Sequence, residues 1–385
     1  MVSSARFAVQ AVGPTSVGAV AWRFRGVLRV TVIAKATFAF AGEGVMPRAD
    51  PLPFFRAEVT WDKSPMRSVR YPSDVVPYLH EAEVLFSGRA HTPFGRPLEH
   101  MPVRLGLFEG VETVLDKTLV IRKKGGFTEM PIEYERAYGG AGFADNPLGA
   151  GAVPGTGEPA VLDPFDDRRH AGYGPIGAAW PARKRLLGAM PRKALDANVV
   201  ELPDDFDFAY FQAAPADQRV RFLRGDEWIV MDGLHPTVPR FRTQLPGARG
   251  LARVHGLSRW GVPEGQPLAL HADTLRIEGE EQRVTLTFRG VFPVADEEAL
   301  GAVHVVAGVE LPGEPLAWPT PSVAAARPAD DAPAPLPAGG FAATISTAEA
   351  LSSVEGKVLD GTLDVGPDSP RSAALPFRPG PASAS

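Results

Sequence analysis

The chain contains 385 residues, of which 44% are apolar and 22% are charged, and its formal net charge is −5. This composition supports a sizeable hydrophobic core and excludes a wholly disordered chain. The arginines are interspersed with acidic residues and form no basic stripe, so we expect no nucleic-acid partner. The absence of cysteine excludes disulfides, thiolate nucleophiles and thiolate metal sites.

Glycine and proline are frequent, with 40 and 39 residues respectively. Both weaken helix interiors, so this composition favours a β-rich fold with many turns. The N-terminal residues lack a cationic start followed by a long apolar run, and no segment approaches the ~18 uninterrupted apolar residues of a membrane helix. We therefore expect a soluble, cytoplasmic protein with no membrane partner.

Period-two alternation of apolar and polar residues, which is typical of strands with one buried face, recurs along the chain. The longest case is 29–40, whose even positions are Val30, Val32, Ala34, Ala36, Phe38 and Phe40. Shorter alternating runs at 82–88, 103–107 and 118–122 predict further strands.

Two hairpins are expected, one at 220–231 around Arg224-Gly-Asp226 and one at 275–288 around Glu278-Gly-Glu-Glu281. Together with the strands, they predict a mainly β fold. We expect an antiparallel β-sandwich or barrel-like body with long irregular loops and few short helices, one of them within 180–189.

The segment 135–167 interrupts the strand pattern because it is rich in glycine and proline and has few periodic apolar residues. Long irregular segments in compact domains are usually functional or disordered. The aromatic residues in and after this segment favour an ordered, packed loop; they are Tyr138, Phe143, Phe165 and Tyr173.

The C-terminal part changes in character after residue 311. We predict a β-rich domain over 1–311, a Pro/Ala-rich linker over 312–343, and a mostly flexible tail over 344–385 with a short helix at 344–355. The tail contains one apolar–aromatic–basic motif, Leu375, Pro376, Phe377 and Arg378. This motif is either a short docking element that orders on binding or an arbitrary end of a low-complexity segment.

No motif in the sequence predicts a cofactor or a metal. Gly172-Tyr-Gly-Pro-Ile-Gly177 matches the dinucleotide-binding pattern in its letters, but Asp166-Asp-Arg-Arg-His-Ala171 before it is no buried strand, so we interpret it as a rigid turn. The eight histidines do not occur at i, i+3 or i+4 spacing, so we expect no metal site.

Glu133 and Glu135 are the pair of carboxylates in the sequence that is best suited to catalysis. On a strand both side chains lie on one face, where they are suited to general acid–base work or glycoside hydrolysis. The alternative is that they form ion pairs with arginines and hold the long loop that follows.

Short segments rich in aromatic residues, arginine and proline recur along the chain. Tyr, Trp and Arg anchor protein interfaces, and they also stabilise loops within one chain. Within the loops 130–140 and 172–183 we select five candidate partner-binding anchors, namely Tyr134, Arg136, Tyr138, Tyr173 and Trp180.

These segments, taken in order, resemble the bacterial domain-of-unknown-function family 2169 over about residues 21–294. The resemblance rests on Trp61-Asp-Lys-Ser-Pro65, Met130-Pro-Ile-Glu-Tyr-Glu-Arg-Ala-Tyr-Gly-Gly140, Ala171-Gly-Tyr-Gly-Pro-Ile176 with Trp180-Pro-Ala-Arg183, Tyr210-Phe-Gln-Ala-Ala-Pro215, Gly225-Asp-Glu-Trp-Ile229 and Arg289-Gly-Val-Phe-Pro293, among others.

The resemblance implies a non-enzymatic adaptor or chaperone that binds a secreted effector protein, a spike protein, or both, in a type VI secretion system. It supplies no catalytic residues. Two alternatives stay open from the residues themselves: a carbohydrate-active hydrolase that uses Glu133 and Glu135, and a structural component of the secretion apparatus.

Overall fold

Strands are the main regular structure of the described chain, at 44% against 12% helix, as its composition and its alternating runs predict. A computed structural model describes residues 7–153 and 155–319. The mainly β class with few short helices is confirmed, and the larger of two main sheets curls as a half-barrel.

The first seven strands, β1 to β7, are Ala8–Val12, Ser16–Phe24, Val27–Ala39, Val59–Thr60, Val69–Tyr71, Ala82–Ser87 and Arg89–His91. Strands β8 to β14 are Leu98–Glu109, Glu112–Phe127, Glu129–Pro131, Tyr138–Gly139, Ala150–Gly151, Val161–Leu162 and Val199–Leu202. Strands β15 to β21 are Arg219–Val220, Trp228–Asp232, Arg240–Gln244, Arg249–His255, Gln266–Glu278, Arg283–Pro293 and His304–Glu310.

The helices of the described residues are short. Helix α1 is Pro181–Lys184 and α2 is Glu297–Ala302. The 3₁₀ turns are Trp61–Lys63, Pro93–Gly95, Tyr134–Arg136, Arg185–Leu187, Arg192–Asp196, Phe208–Phe211, Ala216–Gln218 and Ser258–Trp260. The short helix expected within 180–189 is therefore α1, followed directly by a 3₁₀ turn.

Two sheets organise the described residues. Ten strands form the larger sheet in the order β1-β21-β18-β19-β20-β3-β2-β14, with β6 beside β19 and β15 beside β6. Five strands form the smaller sheet in the order β13-β9-β8-β16-β17. Most pairs are antiparallel, but β1 with β21, β14 with β2 and β6 with β19 are parallel, so the larger sheet is mixed.

The main hydrophobic core lies between these sheets. Val32, Ala34 and Phe38 of β3 belong to the same buried apolar cluster as Leu105 of β8 and Ile229 of β16. Burial of this apolar surface is the dominant favourable contribution to folding. The expected sandwich-like body is thus present, with β3 near its centre.

The second face of β3 differs from the expectation of one buried face. Thr31, Ile33, Lys35 and Thr37 occupy the odd positions, and all four are buried as well. The reason is a third, irregular layer, contributed by residues 50–80 and 170–211, that covers this outer face of the larger sheet.

Part of the interface with the third layer is apolar. Trp22 and Phe24 of β2 and Ile33 of β3 form a buried cluster with Val76 of segment 50–80 and Phe208 of segment 170–211. The rings of Trp22 and Phe24 meet Phe208 edge to face, with centroid distances of 5.8 and 5.2 Å. Such aromatic pairs add to the stabilisation from area burial alone.

The rest of this interface is charged. The Lys35 ammonium contacts the Asp74 carboxylate at 2.5 Å and donates to the carbonyl of Pro53 at 2.7 Å. It also lies 4.6 Å from the centre of the Phe55 ring. Burial lowers the pKa of Lys35, and Asp74 opposes this shift.

A series of contacts between aromatic rings and cations extends from Lys35. We call it the cation–ring stack (Lys35, Phe55, Tyr71, Arg276, Arg70 and Trp61). Phe55 stacks on Tyr71 at 4.3 Å, and the Arg276 guanidinium lies 3.9 Å from the Tyr71 ring centre. Arg70 lies 5.1 Å from Tyr71 and 4.4 Å from Trp61. Cation–π attraction is strongest when the cation is desolvated, so these contacts hold segment 50–80 on the sheet.

Glu278, at the end of β19, is the carboxylate that balances the arginines of the stack. Its side chain is 1% exposed, forms ion pairs with Arg276 and Arg283 at 2.8 Å, and accepts a hydrogen bond from the Tyr71 hydroxyl at 3.0 Å. Burial by itself raises the pKa of Glu278, but the hydrogen bonds and ion pairs outweigh it and lower that pKa to about 2.

The hairpin expected at 275–288 is confirmed, whereas the hairpin expected at 220–231 is wrong. Strands β19 and β20 pair antiparallel around the turn. In contrast, β15 pairs with β6 in the larger sheet, and β16 pairs with β8 and β17 in the smaller sheet. The buried carboxylate of Glu227 accepts the backbone N–H groups of Arg224 and Gly225, so a side chain closes the turn and the chain crosses between the sheets.

The first residues of the predicted linker lie on the β-rich body. Leu316 packs over Gly13 and Gly308, and the Arg253 guanidinium lies 4.6 Å from the Trp318 ring centre. The rest of the predicted linker, the predicted helix 344–355 and the remainder of the tail lie outside the described residues. None of the helices in the described part of the chain has the length and apolar character that crossing a membrane requires.

We expect Glu278→Gln to lower the free energy of unfolding by about 3 kcal/mol near neutral pH, since it leaves buried arginines without their carboxylate. The folded-state pKa of Glu278 lies below its unfolded value. Its contribution is therefore fully present above about pH 4.5 and is lost as pH falls through about 2. Urea unfolding near pH 7 and near pH 3 should show the difference between wild type and variant shrinking on acidification.

The matched control is Glu112→Gln, which removes an exposed carboxylate at the start of β9. This change should alter the free energy of unfolding by less than about 0.5 kcal/mol. Equal effects of the two substitutions would show that Glu278 does not stabilise the third layer.

Candidate functional site

A cleft of about 400 Å³ opens where the third layer meets β9 of the smaller sheet. We call it the Lys117 cleft. It is lined by Lys117, Leu119, Tyr134, Asp145, Asp163, Arg169, His170, Ala171, Gly172, Ile176, Ala182, Arg183, Arg185, Leu186, Ala209, Gln212, Pro215, Ala216, Asp217 and Arg219. Its volume is in the range of small-ligand and short-peptide sites.

Lys117 is a largely buried cation of this cleft, with its side chain 10% exposed. Its ammonium lies 2.8 Å from each of three acceptors, namely the carbonyl of Gly172, the carboxylate of Asp217 and the side-chain carbonyl of Gln218. Burial lowers the pKa of Lys117, and Asp217 opposes this shift. Because all three N–H donors are engaged, Lys117 joins strand β9 to both walls of the cleft.

Three of the five predicted anchors are buried. The Tyr134 hydroxyl donates to the carbonyl of Gly174 at 3.0 Å, and its ring meets Trp180 edge to face at 5.0 Å. Tyr173 is fully buried, and its hydroxyl donates to the carbonyls of Val103 and Lys117. Of these three anchors, only Tyr134 is part of the cleft wall.

The other two predicted anchors are more accessible. Arg136 is exposed, and Tyr138 is half-buried with its ring edge to face on Phe143 at 5.5 Å. The assignment of all five residues to partner binding stays a prediction. In this geometry Arg136 and Tyr138 are available to a partner, whereas Tyr134, Tyr173 and Trp180 shape the loops.

Asn146 organises the loop that carries these residues. Its side-chain amide is fully buried and donates to the carbonyls of Tyr134 and Tyr138 at 2.8 and 3.1 Å. The backbone carbonyl of Asn146 accepts the N–H of Gly140. The irregular segment 135–167 is thus ordered around one buried amide, which substitutes for regular backbone pairing.

Arg183 holds the opposite wall. It is buried, and its guanidinium donates to the carbonyls of Tyr210 and Ile176 at 2.6 Å. It also forms an ion pair with Glu58 at 3.2 Å. A single buried guanidinium therefore joins three segments of the third layer, and charge-assisted bonds of this kind are the strong ones.

Glu133 and Glu135 hold the start of the loop. Arg67 contacts both carboxylates, Glu133 at 3.0 Å and Glu135 at 3.2 Å, and Glu135 also accepts the backbone N–H of Ser68 at 2.7 Å. Burial raises the pKa of Glu133, and Arg67 opposes this shift. The segment is not the strand on which both carboxylates would share a face, but a 3₁₀ turn at Tyr134–Arg136. The geometry favours loop stabilisation, the alternative to acid–base chemistry that the sequence left open.

Phe165 is the clearest departure from the expectation of a packed loop. Its side chain is 95% exposed. The Asp163 carboxylate accepts the backbone N–H groups of Phe165 and Asp166, which closes a tight turn and directs the ring away from the body. Asp163, Arg169 and His170, on either side of Phe165 in the chain, line the cleft, so the turn that carries Phe165 adjoins the cleft wall.

The mouth of the cleft carries three arginines and two exposed aspartates. Arg169 and Arg185 are exposed, Arg219 is half-buried, and Asp145 and Asp217 are exposed. Burial lowers the pKa of His170, so its imidazole is neutral near pH 7. Among the described residues, no group of three or more histidine, aspartate or glutamate side chains is placed to hold a metal ion.

The glycines of Gly172-Tyr-Gly-Pro-Ile-Gly177 allow close ring packing. A Cβ at residue 172 would lie 2.7 Å from the Tyr134 ring, and a Cβ at residue 177 would lie 2.8 Å from Trp180 Nε1. No strand precedes this segment, and α1 after it has only four residues. The motif is an irregular segment with a bend at Tyr173 and Gly174, in place of the expected rigid turn, and its glycines admit aromatic rings.

The predicted docking motif Leu375, Pro376, Phe377 and Arg378 lies outside the described residues, so its role stays a prediction.

The fold and the cleft together define a three-layer β protein whose third layer is held by buried charges. The profile of the family described as "uncharacterized protein conserved in bacteria (DUF2169)" matches residues 25–289. The chain therefore belongs to the DUF2169 family, as its motifs predict. No curated protein and no solved structure matches the chain.

Sequence reasoning missed Lys117, Asn146, Phe165 and Arg169 as parts of the site. Lys117 and Asn146 carry no local signal, because the side chain of each acts through partners at least eight residues away in the chain. The pattern predicts Phe165 as a packed aromatic residue and gives no account of the Asp163 turn that exposes it. Asp163-Pro164 immediately before Phe165 is a local signal for such a turn.

We expect Gly172→Ala to destabilise the protein by about 1–3 kcal/mol, because the new methyl group overlaps the Tyr134 ring and forces the wall of the cleft to shift. Urea unfolding measures the loss, and near-ultraviolet circular dichroism reports the change in aromatic packing.

Gly174→Ala is the matched control in the same loop, since the nearest atom to a Cβ there is the Phe86 carbonyl oxygen at 3.7 Å. It should change the free energy of unfolding by less than about 0.5 kcal/mol. If both variants were as stable as wild type, the Tyr134 ring would not be held against Gly172.

Proposed function

We propose that this protein is a non-enzymatic adaptor or chaperone that binds an effector protein of a type VI secretion system in the cytoplasm and helps to load it onto the spike. Membership of the DUF2169 family and the role that the family resemblance implies support the proposal. The observation that carries it is the exposed ring of Phe165, which a defined turn presents beside a cleft that the protein's own fold leaves open.

The polar groups around the cleft support binding by a preformed surface. The ammonium of Lys117 has three acceptors, and the hydroxyls of Tyr134 and Tyr173 donate to backbone carbonyls. Groups engaged in this way give rigidity to the walls, and a rigid surface reduces the entropy lost on association.

The exposed residues near the cleft are of the types that contribute most to protein interfaces. Phe165 offers a large apolar area, and Arg136, Arg169 and Arg185 offer planar guanidinium groups. Aromatic residues and arginine are enriched at interfaces, and a few such residues usually carry most of the binding energy. We therefore propose that the partner binds the surface around the Lys117 cleft.

The test is affinity purification of the tagged, full-length protein from its native bacterium at endogenous expression, with identification of co-eluting proteins by mass spectrometry. We expect a toxin-like effector or a spike protein in near-stoichiometric amount. Phe165→Ala should reduce its recovery by about fivefold or more, because an interface anchor is lost.

Phe94→Ala provides the matched control, since Phe94 is also almost fully exposed, at 87%, but lies in the 3₁₀ turn before β8. Circular dichroism of each variant confirms that it is folded. A wild-type protein that elutes without an effector or a spike protein would contradict the adaptor role. Equal recovery of the effector or spike protein with both variants would show that Phe165 is not part of the partner surface.

A further inference from the structure

The side chains that line the Lys117 cleft have an excess of basic groups, whereas the whole chain has an excess of acidic groups. The chain carries a net charge of −5. The cleft, in contrast, is lined by five basic and three acidic side chains, namely Lys117, Arg169, Arg183, Arg185 and Arg219 against Asp145, Asp163 and Asp217. A concave surface lined mainly by one sign of charge concentrates its field on a ligand of the opposite sign.

Two of the five cations are used by the fold. Lys117 and Arg183 are largely buried, and their donors are engaged by carbonyls and carboxylates of the cleft walls. They hold the shape of the site, and each is paired with a carboxylate, Lys117 with Asp217 and Arg183 with Glu58. The remaining three cations are those that a ligand can contact.

Each of these three arginines has N–H donors that form no hydrogen bond within the described residues. Arg169 is only loosely paired, with its Nη1 atom 3.8 Å from Asp163. Arg219 donates through Nε to the carbonyl of Ala214 at 3.2 Å, and its terminal nitrogens form no hydrogen bond within residues 7–153 and 155–319. Arg185 is exposed and forms no ion pair in that same part of the chain. A guanidinium group with free N–H donors matches a carboxylate in geometry.

The chemistry at the rim indicates a peptide rather than a small anion. The exposed Phe165 ring adjoins the turn that carries Arg169, so an apolar contact site lies next to the cationic one. A small anion has no group that uses such a ring. An extended acidic segment with apolar residues uses both.

We propose that the Lys117 cleft binds a short acidic segment of the partner protein, with carboxylates at Arg169, Arg185 and Arg219 and an apolar side chain against Phe165. The proposal rests on the adaptor function and names the chemistry of the partner. The volume of about 400 Å³ accommodates a few residues and leaves the rest of the partner outside.

The test is fluorescence anisotropy with full-length protein and a labelled peptide of about twelve residues that alternates glutamate with leucine and glycine. A second peptide carries glutamine in place of every glutamate. We expect the acidic peptide to bind, the glutamine peptide to bind about tenfold or more weakly, and the affinity for the acidic peptide to fall with rising salt.

Arg169→Glu/Arg185→Glu should weaken binding of the acidic peptide by about tenfold or more, since both residues are exposed and the reversal repels carboxylates. The control is Lys123→Glu/Lys124→Glu, which reverses two exposed charges on β9. These residues lie about 20 Å from Lys117 along the strand. The control should change the affinity by less than about twofold.

The proposal is overturned if the acidic peptide does not bind, if the glutamine peptide binds equally, or if the cleft reversal has no more effect than the control. Complete displacement of the peptide by about 10 mM inorganic phosphate would also overturn it, because the cleft would then be a small-anion site.

Failure of this proposal is distinguishable from failure of the adaptor function. If affinity purification recovers an effector that the Arg169→Glu/Arg185→Glu variant retains, the adaptor function stands and the cleft assignment is wrong. If the acidic peptide binds in the cleft but no effector or spike protein is ever recovered, the site stands and the adaptor function is wrong.

Discussion

The buried ammonium of Lys35 determines how the third layer is attached to the larger sheet, and residues of that layer form walls of the Lys117 cleft. Lys35 lies in the middle of β3, and its side chain is 3% exposed. An ammonium in that position is tolerated only with a close counter-charge and further polar or aromatic contacts. Asp74 and Phe55 supply these, and both come from segment 50–80. The charge on the strand therefore requires that this segment cross the outer face of the larger sheet.

The covering segment then positions the cleft. Glu58 lies on segment 50–80, accepts the backbone N–H of Ala178 at 2.9 Å, and pairs with Arg183. Arg183 in turn holds the carbonyls of Ile176 and Tyr210. The contacts form a continuous chain from the central strand to the wall of the cleft.

The motifs on which the family resemblance rests have structural roles in this arrangement. Trp61 contributes to the cation–ring stack, and the loops 130–140 and 172–183 build the walls of the cleft. In contrast, Phe165 and Arg169 lie outside those motifs, on an exposed turn. A shared scaffold with a separate binding rim suits the proposed adaptor, because stability and partner recognition then reside in different residues.

The β-rich class, the family, the long strand β3 and the β19–β20 hairpin can be predicted from the sequence, because they follow from local alternation, turn residues and ordered motifs. The other features depend on contacts between distant segments. The second face of β3 is buried because a distant segment covers it, and Glu133 and Glu135 are engaged because Arg67 reaches them. Tyr134 and Tyr173 are enclosed, whereas Phe165 is exposed. Burial and charge pairing depend on residues tens to hundreds of positions apart, and local patterns carry no information about which of them meet.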